Sequence, residues 1–407
     1  MSEWRIERLG RKGDGVARSA AGDSALVARV LPGEVVLGQL VAGRIADPQI
    51  VTPAPERVTP ACPHYARCGG CSLMHAAPDF VAGWKRAQVE TALAAHGISA
   101  RVAAIATSPE GARRRAVFSG RVSRGKVSLG FHARASDVIV DLAECLVLRP
   151  RIVAALPALR EMLALAPPKA EASVTVIDGP AGLDVSCSEV SPASPALMAR
   201  LGEIAARADL ARLVWGGEPL MRRPPALPMG RAQVIPPPGA FLQATAEGEA
   251  ALRAAVLGIT KGAGRVVDLF AGVGTFSLPL AARAEVHAVE GLAAPLAALD
   301  AAWRGAGGLH KLTTEARDLA ANPLQADELN RYDAIVIDPP RSGASAQARQ
   351  IAASRVRRVA WVSCDPVSFA KDSRVMLDAG WHLAQIVAVD QFRHSPHVET
   401  VAAFTRN

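Results

Sequence analysis

Aromatic residues, cysteine and long apolar runs are all scarce in this sequence, and each shortage excludes a class of protein. Phe, Trp and Tyr make up 4% of the chain, so any nucleic-acid contact has to rest on charge and shape more than on stacked rings. Six cysteines among 407 residues are too few and too unevenly placed to staple a disulfide scaffold. No apolar run approaches the about 20 residues that a membrane-spanning helix needs. Residues 1–15 alternate charged and apolar side chains where a signal peptide would be continuously apolar. A soluble, cytoplasmic protein without membrane contact is expected. Apolar residues are ample, at 50% of the chain, which at this length suits two or three domains. A net charge of +8 suits a polyanionic partner.

Three textures follow one another. Residues 1–53 read as short strands joined by tight turns, the pattern of a small OB-like β-barrel. A Pro-rich linker over 51–63 leads into a mixed α+β region, residues 54–238. Its first helix, about 80–97, carries Phe80, Trp84, Ala87, Val89 and Leu93 on one face and is expected to lie against the third domain. Residues 239–407 alternate apolar strands with Ala-rich helices, with strands expected at 265–270, 285–290, 311–314, 334–338, 358–363, 383–390 and 398–404. That rhythm predicts an α/β, Rossmann-like domain with a doubly wound, mostly parallel sheet. Ligands of such sheets sit at the carboxyl ends of the strands, which is where the chemically distinctive residues fall.

The stretch 266–281 runs from a buried strand through a loop with Gly272 and Gly274 into a helix. The glycines let the backbone approach a ligand where a side chain would collide. Asp268 precedes the turn and Glu290 ends the next strand, where a carboxylate can accept both hydroxyls of a ribose. The loop lacks the first and third glycines of the dinucleotide fingerprint and matches the D-x-F-x-G-x-G loop of S-adenosylmethionine enzymes. A turn that served packing alone would not need paired carboxylates at both strand ends.

Asp338–Arg341 ends the fourth predicted strand, and Cys364 ends the fifth, ahead of a helix beginning near Val367. A lone cysteine is commonly a small apolar filler. At a helix N-terminus, however, a thiol has a lowered pKa and is poised as a nucleophile. Arg341 stands where enzymes of exocyclic base nitrogens carry an aromatic, and the Asp338–Arg341 motif lacks the cysteine of RNA cytosine-C5 enzymes. One cysteine on the fifth strand, with an acid near the last, fits carbon 5 of uracil. That carbon is too weak a nucleophile unaided; thiolate addition at carbon 6 enriches it, and a base must then remove its proton. Glu399 is the candidate base, with His394 and His397 as competitors.

With these residues in place, the sequence strongly resembles the bacterial 5-methyluridine RNA methyltransferase family, especially its iron–sulfur branch acting on 23S ribosomal RNA. The motifs FLQA (241–244), DLFAGVGTF (268–276), DPPRSG (338–343), VSCDP (362–366) and HVET (397–400) occur in the family's order. The resemblance implies that Gln243, Phe270, Thr275, Glu290, Asp318 and Asp338 bind S-adenosylmethionine. Asp318 would lie near the adenine and Gln243 near the methionine end. It implies Cys364 as nucleophile and Glu399 as proton acceptor. It also implies that the N-terminal barrel is a TRAM domain whose Arg8, Arg11, Lys12 and Arg18 meet RNA phosphates. Thr275 and Thr245 stand where members commonly have Asn, Asp365 replaces another Asn, and Arg393 replaces a Pro.

Cys62, Cys68 and Cys71 form a C-x5-C-x2-C pattern with Gly69 and Gly70 between. Such close thiolates suit zinc or an iron–sulfur cluster. The resemblance implies [4Fe–4S], with Cys145 as fourth ligand; with zinc, His64 or His75 would replace Cys145. Cys187 is expected to be an ordinary strand residue. The expectation is a monomer acting on 23S rRNA; the alternatives are a transfer-RNA enzyme and an RNA-binding protein that has lost catalysis.

Overall fold

The computed structural model describes residues 2–165, 167 and 171–406. Strands β1 (Ser2–Leu9), β2 (Gly15–Ser19), β3 (Ser24–Val27), β4 (Val35–Gly38), β5 (Arg44–Ile45) and β6 (Gln49–Thr52) form one sheet in the order β5-β3-β2-β1-β4-β6. Alternation along them turns Trp4, Ile6, Ala17, Ala25, Val27, Val36 and Ile45 into a small shared core. Among the described residues β5 pairs with β3 and β6 with β4. The sequence pattern predicts a closed OB-like barrel; the pairing is that of a curled sheet with β5 and β6 as its edges.

The Pro-rich stretch that follows is anchored to this sheet. Glu34, fully buried, accepts hydrogen bonds from Leu31 N (2.8 Å) and Ala54 N (3.1 Å) and a forked pair from Arg57 (2.5 and 2.8 Å). Burial alone would push its carboxyl up, but these donors hold it below the ordinary value.

Helix α1 (Pro78–Ala94) and strand β7 (Ala104–Thr107) come next. A seven-stranded sheet then runs β10-β9-β8-β11-β12-β13-β14, built from β8 (Arg115–Ser123), β9 (Lys126–His132), β10 (Ile139–Asp141), β11 (Ala172–Gly179), β12 (Gly182–Ser188), β13 (Leu210–Trp215) and β14 (Glu218–Met221). Helices α2 (Pro150–Leu165) and α3 (Pro195–Arg207) pack on it. A hairpin, β15 (Leu227–Met229) and β16 (Ala232–Val234), leads into the last sheet.

That sheet contains β17 (Arg265–Leu269), β18 (Glu285–Glu290), β19 (Leu312–Ala316), β20 (Ala334–Ile337), β21 (Arg358–Ser363), β22 (His382–Asp390) and β23 (Glu399–Thr405). The helices between them are α4 (Ala246–Ile259, ahead of β17), α5 (Ser277–Leu280), α6 (Ala293–Gly305), α7 (Ala326–Leu329), α8 (Ser345–Ala353) and α9 (Pro366–Asp378). The order is β19-β18-β17-β20-β21-β23-β22-β7, with β23 antiparallel to both its neighbours. Apolar clusters cover both faces, which explains why β20 reads Ala-Ile-Val-Ile without alternation. The outermost strand, β7, comes from residues 104–107 and runs parallel to β22, while α1 packs on α9. The sequence pattern contains no signal for that strand. No helix is long and apolar enough to cross a membrane among the described residues.

Candidate active site

Strand order reverses between β17 and β20, and the glycine loop leaves the sheet at that switch point. Phe270 (φ +63°), Gly272 (+54°) and Gly274 (+94°) are all left-handed, which coils the loop tightly. Gly274 admits no side chain: a Cβ there would sit 2.9 Å from Leu299. Phe270 has no glycine's freedom, and its left-handed backbone costs about 1–2 kcal/mol, strain of the kind found at ligand sites. Glu290 closes the loop from the next strand, with Oε2 accepting from Gly272 N (3.0 Å) and Oε1 from Leu292 N (3.1 Å). Thr275 lies half-buried in the same loop. Beneath it Asp268 is fully buried and accepts from Ser277 Oγ (2.5 Å) while its other oxygen has no partner. Burial, reinforced by Asp338 and Glu290 and opposed by Ser277, pushes Asp268 up to about 7. Asp318 is exposed, on the loop after β19, and holds its turn through Ala320 N (2.9 Å) and Ala321 N (3.3 Å).

Strand register brings the acids and the thiol together. β21 and β23 are antiparallel, with Ser363 opposite Thr400; one step further along both strands sets Cys364 against Glu399. Asp338 leaves the neighbouring strand, its N–H bonded to Leu269 O (3.2 Å). Burial pushes Asp338 up to about 7. Glu399 is raised to about 8 by burial and by Asp338, with Arg341 opposing.

The thiol corrects an expectation. Its place ahead of a helix predicts a lowered pKa, yet Cys364 is pushed up to about 12 by burial and then by Glu399 and Asp338, with Arg341 opposing. Asp365 is the reason the helix gives no help. Its side chain accepts from Val367 N (2.9 Å) and Ser368 N (3.1 Å), so the free donors of α9 are spent on this cap.

The competing histidines have partners of their own. His397 lies against Arg341 (3.4 Å) and edge-on to Phe392, and burial pushes it down to about 4. His394 lies 3.7 Å from Glu110, and its carbonyl accepts from Ser72 N (2.7 Å) and Leu73 N (3.0 Å). Gln243 is buried, and its Nε2 approaches Asp338 Oδ2 (3.4 Å). Gln391, which the motifs leave without a role, donates to Gln243 Oε1 (2.7 Å). Its only sequence signal is a polar residue between the buried end of a strand and a catalytic motif.

On the other side of the 391–395 loop, Cys62, Cys68, Cys71 and Cys145 lie within electrostatic reach of one another. Cys71 is pushed up to about 12 by burial and then by the other three, and Cys145 is raised by burial, Cys62 and Cys68. Gly70 N donates to Cys68 Sγ (3.4 Å), and a Cβ on Gly69 would meet His132 O at 2.8 Å, so both glycines let the backbone wrap the thiols. Among the described residues no group of three or more His, Cys, Asp or Glu is arranged around a single ion. His75 is removed from the zinc alternative: it is fully buried, with Nδ1 on Tyr65 OH (2.6 Å) and Nε2 on Val30 O (3.3 Å). His64 Nε2 accepts from Ala143 N (3.2 Å). Cys187 lies in the core of the central sheet.

The family model of tRNA (uracil-5-)-methyltransferases matches residues 236–407. Over 415 residues and 100% of both chains, the sequence is 42% identical to an "uncharacterized RNA methyltransferase" of Caulobacter vibrioides. It is 33% identical over 427 residues to the 23S rRNA (uracil(1939)-C(5))-methyltransferase of Chromohalobacter salexigens, covering 99% of this chain and 89% of that protein. Its fold resembles that of the Pyrococcus abyssi tRNA (uracil-54, C5)-methyltransferase in complex with S-adenosyl-L-homocysteine, with a TM-score of 0.78, 20% identity and 99% of each chain covered. Identity of this extent along the full length shows that the chain belongs to the S-adenosylmethionine-dependent RNA methyltransferases that act on carbon 5 of uracil.

Proposed function

We propose that the enzyme forms 5-methyluridine in 23S ribosomal RNA by covalent catalysis from Cys364. The observation that carries this is the β21–β23 register, which opposes Cys364 and Glu399 at strand tips beside Asp338. Cys364 Sγ bonds to carbon 6 of the flipped uracil, and its proton passes to the Asp338–Glu399 carboxylates and on to solvent. The ring's electron pair moves towards carbon 5 and its enolate oxygen. Bound S-adenosylmethionine supplies the methyl group, leaving as S-adenosylhomocysteine. Glu399 then takes the proton from carbon 5, the ring double bond re-forms, and the sulfur–carbon 6 bond breaks.

Glu290 would hold the ribose, Asp318 the adenine side, and Gln243 and Asp338 the methionine end, with Phe270 and Thr275 in the enclosing loop. A nucleophile held neutral by burial is protected from stray chemistry until a bound base changes its surroundings. Exposed Arg8, Arg11 and Lys12 on the curled N-terminal sheet supply phosphate contacts of a TRAM-like module. Arg18 is already paired with Glu7 (3.1 Å). Cys62, Cys68, Cys71 and Cys145 would hold a [4Fe–4S] cluster, whose contribution there is to tie the linker to the central sheet.

The test is methyl transfer from labelled S-adenosylmethionine to 23S and transfer-RNA transcripts. Incorporation into 23S RNA at one uridine, lost in Cys364→Ala, is expected. Incorporation into transfer RNA alone would move the substrate, and an active Cys364→Ala would remove the covalent route.

A further inference from the structure

We infer that Gln391 is a positioning residue: through a one-way chain of hydrogen bonds it turns the Gln243 amide nitrogen towards Asp338 and the methionine end of the cosubstrate. The inference rests on the reading of Gln243 and Asp338 as contacts of that end. A glutamine amide has two orientations of nearly equal shape, and only its partners choose between them. Here the choice starts at a group that cannot reverse. The Thr245 backbone N–H can only donate, and it donates to Gln391 Oε1 (3.3 Å). The other end of Gln391 is therefore its NH2, which donates to Gln243 Oε1 (2.7 Å). Gln243 is left with its NH2 turned to Asp338 Oδ2 (3.4 Å). One N–H meets that carboxylate, and the second remains for an amino-acid carboxylate. The reversed amide would present a carbonyl oxygen to negative groups on both sides.

The surroundings hold every link in place. Thr245, Gln391 and Gln243 are 2%, 3% and 4% exposed, so a lost partner is costly to replace. Thr245 is fixed as the cap of α4, accepting from Gly248 N (3.0 Å) and bonded to Ser108 Oγ (2.7 Å). Gly248 leaves room for the glutamine: a Cβ there would lie 2.3 Å from Gln391 Cγ. Asp390, the preceding residue, is tied to Lys85 of α1 (2.6 Å), and the same Nζ donates to Phe392 O (3.0 Å). The backbone is thus pinned on both sides of Gln391.

The decisive variant is Gln391→Glu, nearly identical in shape. Its carboxylate still accepts from Thr245 N but cannot donate to Gln243. S-adenosylhomocysteine affinity by titration calorimetry and the KM for S-adenosylmethionine are expected to weaken about 10- to 100-fold, the loss of one charge-assisted hydrogen bond, while kcat falls much less. Gln391→Met, which fills the space and leaves Gln243 free to turn, is expected to lose about 3- to 10-fold on the same scale. Gln243→Leu tests the underlying reading. If it weakens binding while a folded Gln391→Glu binds within about twofold of the parent, the inference fails and the reading stands. If Gln391→Glu does not fold, Gln391→Met decides on the same twofold limit. If Gln243→Leu itself binds normally, the reading fails and the inference with it.

Discussion

The sheet that carries the chemistry and the segment that carries the cysteine cluster are built in opposite ways. In the first, strands buried on both faces fix the backbone, and the groups proposed to react stand at their tips; Cys364, Glu399 and Asp338 are placed by strand register. In the second, residues 53–77 contain neither helix nor strand, and scattered contacts hold the chain: isolated backbone bridges at Arg57–Ala76 and Cys68–Ala133, with Glu34 on Arg57, Tyr65 on His75, and thiols near one another. The two regions meet where Ser72 and Leu73 donate to His394 O, on the loop that leads to Glu399. A register-built site should survive loss of a side chain with its geometry intact. A segment held by scattered contacts should lose its shape more readily and pass the damage on through that contact.

The largest effect tests the first half of that contrast. Cys364→Ala is expected to abolish methyl transfer while melting temperature and S-adenosylhomocysteine affinity stay near those of the parent; a collapsed fold would show that the thiol holds the site together. Next, Glu399→Gln is expected to slow turnover about 10²- to 10⁴-fold and to accumulate a protein–RNA adduct visible as a denaturant-resistant gel shift. Normal turnover without adduct would remove the base assignment. Third, chelation of the [4Fe–4S] cluster proposed at Cys62, Cys68, Cys71 and Cys145 is expected to accelerate amide exchange at Ser72, Leu73 and residues 391–397 while leaving β17 and β20 protected. Uniform loosening would erase the distinction between the regions. Lys85→Met breaks a fully buried ion pair and is expected to cost about 3–5 kcal/mol in denaturant unfolding.

The smallest effect is a pH dependence. As the proposed base, Glu399, raised to about 8, must be a carboxylate to take a proton, so kcat/KM is expected to fall as pH drops below about 8. Stability moves the other way. A carboxyl raised in the folded state favours folding fully below its unfolded value near 4.5, and that contribution fades as pH rises through 8. Arg341→Ala removes the cation opposing both shifts and should move the activity limb to higher pH.

Much of the catalytic sheet was legible in the sequence, because strand ends, glycine turns and their carboxylates are encoded within a few neighbouring residues. What was not legible lies between distant segments. β7 is four residues with mostly exposed side chains, and only its pairing with β22 makes it a strand. The direction of the Cys364 shift depends on burial and on two carboxylates from other strands, while the nearby helix end is silenced by Asp365. Gln391 acquires meaning only through Thr245 and Gln243. Whether a six-stranded sheet closes is likewise a matter of which distant edges meet.

The borrowed outer strand has a practical corollary for anyone building hybrids of these enzymes. The family model begins at residue 236, yet the sheet it covers is completed by residues 104–107 and backed by α1. A chimera spliced near 236 would graft a catalytic module onto a foreign edge strand and a foreign lysine. Exchanging 78–107 together with 236–407 keeps the module's own border, and with it the anchor for Asp390.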